Sequence, residues 1–181
     1  MKIVALSGSL RRNSYNTRLA RLLVERAPEG VSVELATLHG IPLYDADLEA
    51  SDGIPAAVTT LRDQIKASDG LIIVTPEYNA GMPGVLKNGL DWLTRPGEEL
   101  KPTFGARPTA LAGATPGAWG TALAQSGALI TLRQLGVHLY PGYLRISRAA
   151  DVMTDSGIDD KTAGQAEKWL AGFIEFIGSN P

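Results

Sequence analysis

The sequence predicts an α/β fold, a parallel sheet with helices on both faces. Two observations carry this. Short apolar runs alternate along the chain with segments whose apolar residues recur at helical spacing. One run, Gly70-Leu71-Ile72-Ile73-Val74-Thr75, is continuous and β-branched at its centre, the pattern of an inner strand covered on both sides. With 181 residues and no internal repeat or linker, the chain suits one domain spanning 1–181.

The elements follow in order. Residues 2–7 (KIVALS) read as a buried strand. From Tyr15, the stripe Leu19, Leu22, Leu23, Ala27 predicts a helix that stops at Pro28 and Gly30. Residues 31–36 (VSVELA) alternate as a strand does. Ile54, Ala57, Val58, Leu61 and Ile65 form a second helical face, with Pro55 suited to its first turn. After the Gly70–Thr75 strand, Pro83 opens a helix through Trp92 and Leu93, both expected in the core. Residues 109–113 (TALAG) are a weaker strand, required mainly by the alternation. A helix over 121–135 stops at Gly136, with Thr121 as its cap, and a short strand falls within 137–146. A last helix carries Ala163, Ala166, Leu170, Phe173, Ile174 and Ile177.

Totals narrow the function. A net charge of −2, with no basic block beside a Cys/His finger or aromatic ladder, argues against a nucleic-acid binder. With no cysteine, disulfides, thiolate nucleophiles, iron–sulfur ligation and thiolate zinc sites are excluded. The apolar start Met1–Leu6 is too short for a secretory signal, and no run approaches a membrane span. The expected location is the cytoplasm.

In open parallel sheets, ligands sit at the carboxyl ends of strands where the connection order reverses. The segments after the first, third and fourth strands are therefore expected to carry the function. The first, GSLRRNSYN from Gly8, joins a strand to a helix start, where free N–H groups and the helix dipole favour an anion. Ser9 and Ser14 add hydroxyls, Asn16 an amide and Arg11 a guanidinium fork matched to phosphate oxygens. A solvated turn with Ser14 merely capping the helix is the alternative, and the strand–loop–helix setting favours the anion site. The loop matches neither GxxxxGK(S/T) nor GxGxxG.

The second segment, TPEYNAGMPG, has Pro76 fixing its backbone and Tyr78 and Asn79 placed to face a flat, heteroatom-edged ring. Glu77 invites an acid-catalyst role but has no recognisable carboxylate partner. Lys87 and Asp91 are spaced as an exposed helical ion pair. In the third segment, GATPGAWGT, Gly117 and Gly120 suggest close backbone approach to a ligand, with an ordinary turn as the alternative. His39 and His138 do not suggest a metal pair. The acidic run Asp45–Glu49 lacks the glycine and glutamate of a calcium loop, and no metal site is expected. A hydrolase using Ser9 or Ser14 lacks the GxSxG elbow.

Together, GSLRRNSYN, PEYNAGMPGVLKNGLDW and ATPGAWGT resemble the NAD(P)H-dependent FMN reductase family, the flavodoxin-like group that includes quinone, azo-compound and chromate reductases. The resemblance spans nearly the whole chain, including PLYDADLE after the second strand. It implies a flavodoxin-like three-layer sandwich around a five-stranded parallel sheet of order 2-1-3-4-5. It also implies that Ser9, Arg11, Ser14 and Asn16, with the N–H groups of Leu10 and Tyr15, hold the FMN phosphate. Pro76, Glu77, Tyr78 and Asn79 then line the isoalloxazine, Thr115 approaches its pyrimidine edge, and Gly117 and Gly120 shape that loop.

The implied reaction has two steps. NADPH or NADH passes hydride to the flavin and leaves, and a quinone, free flavin, azo compound or metal oxyanion then takes the electrons. No catalytic side chain is required, because the flavin carries the chemistry. A homodimer or homotetramer is implied as well. The chain departs from the family pattern at Gly120-Thr121, where two glycines are frequent, and at Ser126-Gly127-Ala128, where a bulky Leu-Arg pair is frequent. Arg12 and Arg95 are the arginines considered for an NADPH 2′-phosphate, against a solvated surface role. The competing function is a flavodoxin-type electron carrier, which Arg11 and the PEYN loop count against.

Overall fold

The computed structural model describes residues 1–179. Five strands, β1 (Lys2–Ser7), β2 (Ser32–Thr37), β3 (Gly70–Val74), β4 (Pro108–Ala114) and β5 (His138–Ile146), pair in parallel in the order 2-1-3-4-5. The helices are α1 (Tyr15–Glu25), α2 (Ala46–Asp52), α3 (Ala56–Lys66), α4 (Gly84–Leu93), α5 (Leu100–Phe104), α6 (Ala122–Leu135), α7 (Ala149–Val152) and α8 (Asp160–Gly178). A small antiparallel hairpin, β6 (Met153–Thr154) with β7 (Gly157–Ile158), precedes α8.

Strand side chains alternate between two apolar layers, as the period of two requires. Ile3, Ala5, Ile72 and Val74 pack with Leu19 and Leu23 of α1 and with Trp169 and Phe173 of α8. Val4, Leu6, Leu71 and Ile73 pack on the other face with residues of α3, α4 and α6, among them Leu61, Leu90 and Leu132. Trp92 and Leu93 are fully buried, as expected. Each such side chain removed from water contributes about 1.5–3 kcal/mol, so strands covered on both sides anchor the sheet.

β4 places Ala110, Ala112 and Ala114 on the α1–α8 side, and on the other face Leu111 is its one apolar side chain in the core cluster. That explains why its own composition predicts it weakly. β5 starts at His138 and is irregular. Thr109 pairs with Leu139 but Leu111 pairs with Tyr143, so Tyr140, Pro141 and Gly142 bulge opposite Ala110. An edge strand tolerates this, because Pro141 has no N–H to give a neighbour. Tyr140 then joins Trp169, Phe173 and Phe176 in an aromatic cluster on α8.

The end of α1 and the PLYDADLE segment differ from expectation. α1 closes at Arg26, whose N–H bonds Leu22 O, so Ala27 lies beyond the helix. The PLYDADLE segment contains a helix, α2, capped by Asp45 accepting from the Asp47 N–H; it buries no residue, so no apolar stripe announces it.

Candidate functional site

The loops after β1, β3 and β4 meet at the carboxyl edge of the sheet, beside the reversal that sends the chain from β1 outward to β2 and back to β3. They enclose a cleft of about 260 Å³ lined by Ser9, Arg11, Ser14, Tyr15, Asn16, Pro76, Glu77, Tyr78, Ala114, Thr115 and Pro116.

In the first loop, Ser14 caps α1. Its Oγ accepts from the N–H groups of Asn16 (3.2 Å) and Thr17 (3.4 Å), leaving its own O–H proton for another acceptor. Ser9 Oγ accepts from Arg11 N (3.3 Å) and keeps its proton likewise. Among the described residues, the N–H groups of Leu10, Arg12, Asn13 and Tyr15 donate to no protein atom. A loop with two undirected hydroxyls, several unpartnered N–H groups and the positive end of α1 fits a phosphate. Arg11 lies over the Tyr15 ring, 5.2 Å from its centroid, which holds the guanidinium beside the cleft. Gly8 is closely packed beneath: a Cβ there would meet Leu86 at 3.0 Å and Pro76 at 3.3 Å, so these side chains would have to shift.

Asn16 lines the cleft and also braces it. Its Nδ2 donates to Ala114 O and its Oδ1 accepts from Ala114 N, both at 2.9 Å, so one donor and one acceptor are committed to β4. Leu10 is exposed, and its carbonyl accepts from His39 Nε2 (3.2 Å), which gives that histidine a structural task.

In the second loop, Pro76 is buried and Tyr78 is 55% exposed. Tyr78 and Gly81 exchange two backbone bonds of 3.0 Å around Asn79 (φ 50°) and Ala80 (φ 61°), a tight turn with both central residues left-handed. Asn79 sits in that turn and is not part of the cleft wall. Glu77 has a role that its place in the sequence does not announce. Its Oε2 accepts from the N–H groups of Leu123 and Ala124, each at 2.9 Å, and so caps α6 from across the cleft.

The third loop explains why α6 needs that cap. Thr121 stands at the N-cap but makes no capping bond. Its φ of 63° is unusual for a β-branched residue, and its Oγ1 accepts from Gln125 Nε2 instead (2.9 Å). Thr121 packs over the bare Cα of Gly113, where a Cβ would meet its Oγ1 at 2.1 Å. Thr115 lines the cleft. Gly120 (φ 57°) lies outside the wall and shapes the loop from below, against Arg145. Gly117 is also outside the wall; its carbonyl accepts from Arg148 N (2.9 Å). Ala114 and Pro116 were not anticipated as lining residues; the approach of Asn16 to Ala114 brings the end of β4 to the cleft.

Of the two arginines considered for a 2′-phosphate, Arg95 is engaged elsewhere. Its Nε bonds both carboxylate oxygens of Glu49 on α2, at 3.0 and 2.9 Å. The Arg95 hydrogen bond holds the Glu49 carboxyl below its usual value, and the hydrogen bond to Glu49 raises the Tyr44 phenol above its own.

A three-layer sandwich with a phosphate-suited loop after β1 and two further loops beside it is the architecture of a flavin mononucleotide protein. The chain belongs to the NADPH-dependent FMN reductase family, whose model matches residues 1–151. It is 44% identical over 164 residues to an NAD(P)H-dependent FMN reductase of Pseudomonas aeruginosa, covering 89% of this chain and 86% of that protein. It is 38% identical over 187 residues to a quinone reductase of Escherichia coli, covering 98% and 95% respectively. The structure of FerB, a flavoenzyme NAD(P)H:(acceptor) oxidoreductase from Paracoccus denitrificans, superposes with a TM-score of 0.86 at 31% identity, covering 99% of this chain and 98% of that one. The fold is flavodoxin-like, and the chain is an FMN-dependent NAD(P)H oxidoreductase.

Proposed function

We propose that the cleft holds FMN with its phosphate in the loop after β1. Ser9, Ser14, Arg11 and the N–H groups of Leu10 and Tyr15 surround that group, with Asn16 bracing the loop against β4. Pro76, Glu77, Tyr78 and Thr115 line the ring system, with Asn79, Gly117 and Gly120 setting the loop shapes around it. Bound FMN supplies the chemistry, accepting hydride and passing electrons on. The protein binds and orients: Arg11 offsets phosphate charge, the α1 N-terminus adds its dipole, and Pro76 and the braced β4 end give rigid walls. No acid–base side chain is assigned.

The acceptor is a small quinone-like molecule. Support comes from the quinone reductase of Escherichia coli and from a 2-hydroxy-1,4-benzoquinone reductase of Burkholderia, 46% identical over 127 residues, covering 70% of this chain and 67% of that protein. Free flavin, azo compounds and metal oxyanions belong to the same reading. Residues 1–181 act as one domain, and its place is the cytoplasm. No helix among the described residues is long and apolar enough to cross a membrane. The unit is a homodimer, supported by Leu123 and Ile130 exposed on the outside of α6, 52% and 79% accessible.

The observation that carries the cofactor site is the set of unpartnered donors between Ser9 and Tyr15. Replacing Arg11 by alanine is expected to weaken FMN binding about tenfold, the cost of one charge-assisted bond, while circular dichroism stays that of the parent. Fluorescence titration of FMN measures it, and equal affinity in the two proteins refutes the phosphate placement.

A further inference from the structure

A second cleft, of about 640 Å³, adjoins the first and shares Arg11 and Tyr15 with it. Arg11, Arg12, Arg18 and Arg21 line it, against one carboxylate, Asp155. Among the described residues, none of these four arginines forms an ion pair. Of the seven other arginines, Arg26, Arg62 and Arg95 are matched with Glu167, Glu99 and Glu49. Arg107, Arg133, Arg145 and Arg148 also form no ion pair among the described residues, and none of them lines this cleft.

The cluster has a structural basis. Arg18 and Arg21 lie three apart on α1 and so share a face. Arg18 donates to the carbonyls of Met153 (2.7 Å), Thr154 and Gly157, holding the β6–β7 hairpin as the opposite wall. Those acceptors are neutral, so its charge remains. The first turn of α1 contains no acidic residue, and the helix dipole adds to the positive field. Arg12 and Arg21 are exposed and make no side-chain hydrogen bond among the described residues. In a chain with 19 acidic and 17 basic residues, gathering uncompensated guanidiniums costs repulsion that a bound polyanion offsets.

We infer that this cleft is the subsite for the adenosine 2′-phosphate of NADPH, with Arg12, Arg18 and Arg21 as its cationic wall. The inference rests on the FMN reading above, in which Arg11 and the two serines are taken by the cofactor phosphate. The reductant must reach the same cleft mouth, and NADPH differs from NADH by one phosphate monoester. Guanidinium forks suit that group, and a cleft of this size accommodates an adenosine phosphate.

The double variant Arg12→Ser/Arg21→Ser tests it on the FMN-loaded protein. The ratio of kcat/KM for NADPH over that for NADH is expected to fall about tenfold at low ionic strength, as loss of charge-assisted bonds predicts. Calorimetry on the FMN-loaded protein, whose phosphate loop is then filled, provides a second readout: adenosine 2′,5′-bisphosphate binds the parent protein and binds the double variant about tenfold more weakly. An unchanged ratio overturns the inference. So does an FMN affinity that drops in the double variant as far as in Arg11→Ala, which assigns the cluster to the cofactor phosphate. Inorganic phosphate binding the parent as tightly as the bisphosphate overturns it too, by marking a free-phosphate site. Failure of the parent chain to bind FMN refutes the earlier reading instead, and a bisphosphate affinity that still differs between the parent and the double variant then keeps the arginine cluster as a phosphate subsite.

Discussion

Asn16 and Ala114, 98 residues apart, form a reciprocal hydrogen-bonded pair: the amide Nδ2 donates to Ala114 O and Oδ1 accepts from Ala114 N, each at 2.9 Å. The first turn of α1 is thereby fastened to the end of β4, and two of the three site loops share one hinge. Asn16→Ala leaves a buried N–H and C=O without partners, at a cost of about 1–3 kcal/mol. The urea midpoint is expected to fall accordingly, and FMN affinity with it, because the loops lose their brace. An Asn16→Ala protein with the parent's midpoint would show that water replaces the amide at no cost.

Glu77 couples the other pair of loops. Its carboxylate caps α6 through Leu123 and Ala124 while its own loop lines the cleft. Glu77→Gln keeps an acceptor but loses the charge favoured at a helix N-terminus, for about 0.5–1 kcal/mol; Glu77→Ala loses both, for about 1–2 kcal/mol. Thermal denaturation should rank parent, Gln and Ala in that order. Amide exchange at Leu123 and Ala124 should rise in the same sequence, and equal exchange in all three proteins would remove Glu77 as the cap.

Legibility in the sequence followed the range of each interaction. β1 and β3 were readable because apolar residues on both faces make a run with no alternation, and Ser14 because its acceptor serves N–H groups two and three residues on. Glu77 and its helix N-terminus are separated by 46 residues, so no local pattern relates them. Thr121 misled for a related reason. A threonine before a helix reads as a cap, yet its left-handed backbone and the close approach of Gly113 turn its hydroxyl toward Gln125. Arg95 looked as free as Arg12 until α2 brought Glu49 to it, and α2 itself has no buried residue to signal it.

The Tyr78–Gly81 turn holds a correctable strain. Asn79 tolerates its φ of 50°, whereas Ala80 at φ 61° sets its Cβ against the following carbonyl, a cost of about 1–2 kcal/mol. Ala80 is exposed, so no packing is lost when its methyl group goes. Ala80→Gly is expected to stabilise by about 0.5 kcal/mol, the relief less the added freedom of the unfolded chain, raising Tm by about 1–2 °C. Ala80→Val should move Tm the opposite way. A glycine variant melting below the parent would contradict the turn geometry.

The Tyr44–Glu49–Arg95 group makes a pH prediction whose sign follows from the direction of each shift. The Arg95 hydrogen bond lowers the Glu49 carboxyl from 4.5, so its contribution is present above that value and is lost as acid drives the pH down through the folded-state value. Tyr44 donates to Glu49 Oε2 at 3.0 Å, and that bond raises the phenol from 10.0. Its contribution is present below 10.0 and disappears as the pH rises through the folded-state value. Arg95→Ala removes the cation that lowers Glu49 and opposes the rise of Tyr44. The Glu49 carboxyl followed by NMR should therefore titrate at higher pH in the variant. The Tyr44 phenol, followed by its ultraviolet absorbance, should move further up for as long as its bond to Glu49 persists. A Glu49 midpoint unmoved by Arg95→Ala would show that the guanidinium does not govern this carboxylate in solution.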